Sequence, residues 1–204
     1  MTRVLLVRHG QTVWNHDARY QGHTDIELSE VGLKQARLLA QRLAREPVQA
    51  VYASDLKRAY ETARILAIPH QLEVQTISSL REINFGAWEG LTFEEIKTRF
   101  KELADRWYTT PAEIQIPQGE TFAQLKERAY RTVLELVKKH DPGAFIIVTH
   151  GGTIRAIICA LLDIDLNHAF RIRQDNGALN IIEYHQNRGI LCLLNDTHHL
   201  CSLS

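Results

Sequence analysis

Apolar residues in this chain come in short unbroken runs separated by stretches with helical spacing. The run at 4–7 is continuous and stops at Arg8, His9 and Gly10, the mark of a strand buried on both faces. Ser29 offers an N-cap, Leu28 and Leu33 occupy staple positions, and Leu33, Ala36, Ala40 and Leu43 share a face, which predicts a helix over 30–45. A second strand is predicted at 50–53, followed by Ser54 as the N-cap of a helix with Ala59, Ala63 and Leu66 on one side. A third strand fits 73–77. Between 78 and 120 the pattern loosens around Gly86, Gly90, Pro111, Pro117 and Gly119, with one capping box from Thr92 to Glu95.

Regularity returns with a helix over 121–139, where Phe122, Leu125, Ala129 and Leu136 line one face, and with a strand over 144–149. That strand also ends in a histidine, at His150, Gly151 and Gly152, ahead of an apolar helix over 153–162. Strands at 179–185 and 190–194 then read as a hairpin about Asn187, Arg188 and Gly189. The alternation predicts an α/β fold, a three-layer α/β/α sandwich around a mostly parallel sheet, with residues 1–204 as one domain and 78–120 as a cap-like insertion. Ligands of such sheets gather beyond the carboxyl ends of the strands.

Composition narrows the function. The 204 residues are 45% hydrophobic, and 24 Lys+Arg balance 24 Asp+Glu, so no global field recruits nucleic acid or an anionic membrane. An anion site must therefore be built locally. The longest apolar run, at 156–162, is far short of the roughly twenty residues a bilayer needs. Three cysteines without a CxxC spacing, and a start without a long apolar stretch, point to the cytoplasm. GxSxG, GxxxxGK, GxGxxG and HExxH are all absent. His16 with Asp17, His23 with Asp25, and His198 with His199 are the candidate metal ligands; they read as solvated turn residues, and neither a metal nor another cofactor is expected.

The echo between LLVRHG and IIVTHG places His9 and His150 at one edge of the sheet. Lys57 and Arg58 lie in the first turn of a helix, where the macrodipole disfavours cations and an anion would be welcome. A local charge network with Asp55 and Glu61 is the alternative. Arg8 brings a second guanidinium to the same edge, and two guanidinium groups match a dianionic phosphate. A histidine nucleophile also needs a proton donor; Glu82 is the best placed carboxylate, unless it merely pairs with Arg81. Asn15 could add an amide donor, while Trp14, Trp88 and Trp107 read as packing residues. An exposed apolar strand, or a patch at Trp88, would support a homodimer.

Four ordered blocks resemble the histidine phosphatase (phosphoglycerate mutase-like) superfamily: Arg8, His9 and Gly10; residues 54–59 with Glu61, Thr62 and Ala63; Glu82 within 80–83; and Thr149, His150, Gly151 and Gly152. The resemblance implies that His9 becomes phosphohistidine, that Arg8, Arg58 and His150 complete the phosphate pocket with Asn15 and Gly151, and that Glu82 acts as acid and then base, without a metal. It implies a small-molecule phosphate monoester as substrate. Residues 19–25 and 82–90 look like the branch holding alpha-ribazole phosphatases and broad-specificity acid phosphatases, whereas 159–162, Asp175, Asn176 and 195–200 are similar to metal-independent phosphoserine phosphatases. Phe85 stands where the latter tend to carry histidine. Gln21, Gly22, Phe85 and, from the tail, His199 are the expected substrate contacts. A cofactor-dependent mutase and a non-catalytic phospho-ligand module are the alternatives. The modest insertion weighs against the first, and the complete set of five site residues against the second.

Overall fold

The computed structural model describes residues 1–186 and 188–203. Four parallel strands, β1 (Thr2–Arg8), β2 (Ala50–Ala53), β3 (Val74–Thr76) and β4 (Gly143–Thr149), are extended by antiparallel β5 (Leu179–His185) and β6 (Arg188–Asp196). Their order is β3-β2-β4-β1-β5-β6. The helices are α1 (Val13–His16), α2 (Glu30–Leu43), α3 (Lys57–Ala67), α4 (Phe93–Arg99), α5 (Lys101–Trp107), α6 (Phe122–Lys139) and α7 (Gly151–Leu161), with short 3-10 turns between them.

The continuous apolar runs become two-sided strands because each face meets helices. Leu5, Val7, Ile146 and Val148 pack with Ala36, Leu39 and Leu43 of α2 and Ala59, Ala63 and Leu66 of α3. Val4, Leu6, Phe145 and Ile147 face the other way, toward Leu125, Ala129 and Val133 of α6 and Ile154, Ile157 and Ile158 of α7. The three-layer α/β/α sandwich is therefore the fold. Residues 78–120 add Trp88, Ile96, Ala104, Trp107, Ile114 and Ile116 to the second of these cores. Register aligns the strand ends: Arg8 pairs with Thr149, so the next residue of each strand, His9 and His150, leaves the sheet at the same level.

Local expectations fail in instructive places. Ser54 does not cap α3; its Oγ accepts from Leu56 N at 3.3 Å, and the helix starts at Lys57, whose amide donates to Asp25 Oδ1 at 2.7 Å. A distant loop supplies the carboxylate that the helix end wants. α7 starts at Gly151 rather than 153, because the Glu82 carboxylate accepts from the amides of Gly152 and Thr153. β6 runs longer than 190–194 and contains Arg188 and Gly189, which were expected in the turn; Asn187 lies outside the described residues. Trp88 is fully buried and offers no surface patch, since Trp107 and Phe100 close over it. The exposed apolar strand does exist, as the sheet edge β6, where Ile190 and Leu194 face solvent. Among the described residues no helix is long and apolar enough to cross a membrane.

Candidate active site

His9 emerges from β1 with its amide bonded to Thr149 O at 3.0 Å, and its side chain is almost wholly buried. Its Nδ1 lies 2.7 Å from the carbonyl oxygen of Gly10. A carbonyl can only accept, so Nδ1 carries the proton and Nε2 keeps its lone pair. Burial, and then the charges of Arg58 and Arg8, hold the imidazole pKa well below its ordinary value, which keeps it neutral at physiological pH.

His150 stands edge-on to His9, ring centroids 5.1 Å apart, at the N-cap of α7. It is fully buried, neither ring nitrogen has a partner, and burial together with Arg58 pushes its pKa down as well. It does not line the cavity itself. Arg58 is just as deeply placed and is aimed by backbone carbonyls: Nη1 donates to Thr24 O at 2.9 Å and Nη2 to Gly22 O at 2.7 Å. Arg8 is only partly exposed, and its Nη1 donates to Gln174 O at 2.6 Å. Burial lowers both guanidinium pKa values to about 10, so both remain cations. Neither Arg58 nor Arg8 forms an ion pair among the described residues, and Nε of each is buried without an acceptor. Orphaned buried donors are rare and cost about 1–3 kcal/mol apiece. All belong to residues beside His9, whose ring lies 5.1 Å from that of His150 and feels the charges of both arginines, and a tetrahedral oxyanion has the acceptors they lack.

Glu82 does not pair with Arg81, whose guanidinium instead takes Asp55 at 2.5 and 2.7 Å. Glu61 likewise turns to Arg64, so the local network suggested for Arg58 does not form. The Glu82 carboxylate is held by the amides of Ile83, Gly152 and Thr153 at 3.0–3.1 Å. Behind it, Arg128 of α6 donates to the carbonyls of Ser79, Arg81 and Glu82 at 2.8 Å each and pairs with Glu120. Arg128 thus positions Glu82, a role unseen in the sequence because the two lie on separate elements. Gly152 is required for contact: a Cβ there would sit 2.5 Å from Glu82 Oε1.

A cavity of about 210 Å³ opens from these groups. Of the residues expected at the site, Arg8, His9, Arg58, Glu82, Asn15, Gln21, Gly22, Phe85 and Gly151 line it. The Asn15 oxygen is occupied by Thr12 and Asn176, which leaves its NH₂ for a ligand. Gln21 is buried with Oε1 unpartnered, and Gly22 has φ +53° with no room for a side chain, since a Cβ there would sit 2.1 Å from Glu89 Oε1. His199 does not belong here. Arg42 and Gly177 O hold it at 3.1 Å, against α2 and away from the cavity. Arg19 and Tyr20, which entered only as part of the 19–25 block, and Tyr108 and Phe170 were not expected as site residues but line the mouth, and Trp107 does so in addition to packing. Arg155 lines it too and was equally unforeseen, although it had a visible signal, being the one charge within the apolar helix α7. Among the described residues no three His, Cys, Asp or Glu side chains converge as a metal site. The His16 ring meets Asp17 Oδ1 at 2.9 Å, and His23 Nε2 faces Glu82 O at 2.9 Å.

The family model "Histidine phosphatase superfamily (branch 1)" matches residues 4–197. Phosphoserine phosphatase 1 of Hydrogenobacter thermophilus is 38% identical over 200 residues, 98% of this chain and 95% of that protein. Bacillus stearothermophilus YhfR superposes with a TM-score of 0.94 at 31% identity, covering 98% of this chain and all of the other. A mutant phosphoserine phosphatase of Entamoeba histolytica, in complex with phosphoserine, gives 0.88 at 30% identity, with 98% and 100% covered. With the sheet, the paired histidines and the matched segments agreeing, the chain belongs to branch 1 of the histidine phosphatase superfamily.

Proposed function

We propose that this protein is a phosphomonoesterase that hydrolyses a small phosphate ester through a phosphohistidine on His9. The observation that carries the reading is the free Nε2 of a neutral His9, fixed by the Gly10 carbonyl, on a ring whose neighbours Arg8, Arg58 and His150 hold buried nitrogens without partners. Nε2 attacks phosphorus as the P–O bond to the alcohol breaks, and the Glu82 carboxyl gives its proton to the departing oxygen. The resulting carboxylate takes a proton from water, which attacks phosphorus, breaks the P–N bond and returns His9 to its neutral form. Arg8, Arg58 and His150 hold the equatorial oxygens throughout. The charge of the two arginines does the electrostatic work that a divalent ion does in other phosphoryl-transfer sites, so no metal is required. Residues 78–120 act as a cap that contributes Glu82, Phe85 and Trp107 to the cavity.

Phosphoserine is the substrate to try first, given the similarity to phosphoserine phosphatases. Rapid quench with ³²P-phosphoserine should leave acid-labile, base-stable label on His9, with inorganic phosphate as the final product after exhaustive chelation. Label on serine or aspartate, or loss of turnover restored by a divalent ion, overturns the mechanism. Faster conversion of 3- to 2-phosphoglycerate than phosphate release would mark a mutase instead.

A further inference from the structure

Arg155 is a cation for which the proposed chemistry has no use. It stands on α7 one turn beyond Gly151, lines the cavity and is only partly exposed. Its Nε donates to Ile172 O at 2.8 Å, and its guanidinium carbon lies 5.8 Å from the centroid of the Phe170 ring, so the plane of the fork is set. Among the described residues, neither terminal nitrogen makes a hydrogen bond, and no carboxylate comes within ion-pair distance. Arg19, the other cation at the mouth, is already matched by Glu95 at 3.1 Å and by Gly90 O at 2.6 Å.

Charge counting sharpens the anomaly. Arg8 and Arg58 together match the two charges of a bound phosphate dianion. Among the described residues Glu82 is the only carboxylate lining the cavity, and its oxygens are already taken by the backbone amides of Ile83, Gly152 and Thr153. Arg155 has no ion-pair partner among the described residues, and it lies close to a like charge: its Nη1 and Arg8 Nε both fall within 3.3 Å of the place a Cβ on Gly151 would take. A partly buried guanidinium beside another guanidinium is unfavourable unless a ligand brings the counter-charge.

We infer that Arg155 binds an anionic group on the leaving alcohol, a carboxylate close to the ester oxygen. The planar fork of arginine suits a carboxylate, and two terminal nitrogens are free for it. The substrate class becomes phosphorylated hydroxy acids and hydroxy amino acids, in preference to phosphorylated amines, sugars or nucleosides. This rests on the phosphatase reading of the same cavity and deepens it.

O-phosphoserine and O-phosphoethanolamine differ only in the carboxylate, so the ratio of their kcat/KM values isolates its recognition. The wild-type ratio should favour phosphoserine by on the order of 10²-fold or more. Arg155→Met should bring it to within about threefold of unity, and Arg155→Lys should leave an intermediate value, the charge being kept without the fork. A purely structural role, or a role at the phosphate, lowers both substrates together and leaves the ratio where it was; that result overturns the inference. So does a wild-type enzyme that hydrolyses both esters equally, a measurement that needs no variant. Failure of the wild type to hydrolyse either ester or p-nitrophenyl phosphate would instead remove the phosphatase reading beneath it.

Discussion

At the base of the cavity, His9, Arg58 and Glu82 are each aimed by backbone: the Gly10 carbonyl, the carbonyls of Gly22 and Thr24, and the amides of Ile83, Gly152 and Thr153. At its mouth, rings hold one another. Tyr20 stands edge-on to Phe85 at 4.8 Å, Trp107 contacts Phe170 at 5.3 Å, Tyr108 contacts Phe170 at 4.9 Å, and the hydroxyls of Tyr20 and Tyr108 meet at 3.0 Å. Backbone partners survive substitution of the residues that own them, whereas ring-on-ring contacts do not. The base is therefore built to keep one reaction, and the mouth can be rebuilt for different alcohols without disturbing it.

The largest test of this division is His9→Ala. Loss of the nucleophile should lower kcat by on the order of 10⁵-fold and abolish the trapped label, because the neighbouring donors have nothing to deliver phosphorus to. The variant should still bind inorganic phosphate by calorimetry, since Arg8 and Arg58 are aimed by groups other than His9. Turnover above about 1% of wild type would show that another residue attacks, and the base would lose its assigned role. Phe85→Ala should act at the mouth alone. By removing contacts with Tyr20 and Trp107 it should raise KM for phosphoserine about tenfold with a smaller change in kcat. A fall in kcat larger than the rise in KM would erase the distinction between the two regions.

Legibility in the sequence follows the same division. His9 and His150 could be placed together because each ends an apolar run of strand length, and strand ends in a parallel sheet share an edge. Arg58 was visible as a cation at the wrong end of a helix. Nearby Ser54 misled: the sequence shows a good capping residue but not that Asp25, on a loop far along the chain, reaches the Lys57 amide first. The mouth was opaque for a related reason. Phe170, Tyr108 and Tyr20 come from three separate segments, and no local pattern records that their rings meet. His199 was misplaced because the tail offers a histidine without saying that Arg42 and Gly177 hold it against α2.

The smallest predicted effect concerns stability, and it arises at the base alone. His9 and His150 are buried beside guanidinium groups, and burial, then Arg58, lowers both pKa values well below 6.5. Above pH 6.5 both histidines are neutral whether the chain is folded or not, and their full contribution is present. As pH falls below 6.5 the unfolded chain takes up protons that the folded protein refuses, so folding stability drops until the folded pKa values are reached. The slope is at most about 1.4 kcal/mol per pH unit for each histidine. Carboxylates with lowered pKa values, such as Asp55 and Asp175, act at more acidic pH, so urea midpoints between pH 7.5 and 5.5 report on histidine. His70, His140 and His199 are also shifted down, but they are less buried, and the His9→Asn, His150→Asn double variant separates them. That variant should have a flatter pH dependence than the wild type, and saturating inorganic phosphate should flatten the wild type too, by supplying the negative charge that makes an imidazolium tolerable. Equal slopes in wild type and double variant would mean that the two rings are already accessible to protons, and that the base of the cavity is wetter than its hydrogen bonds imply.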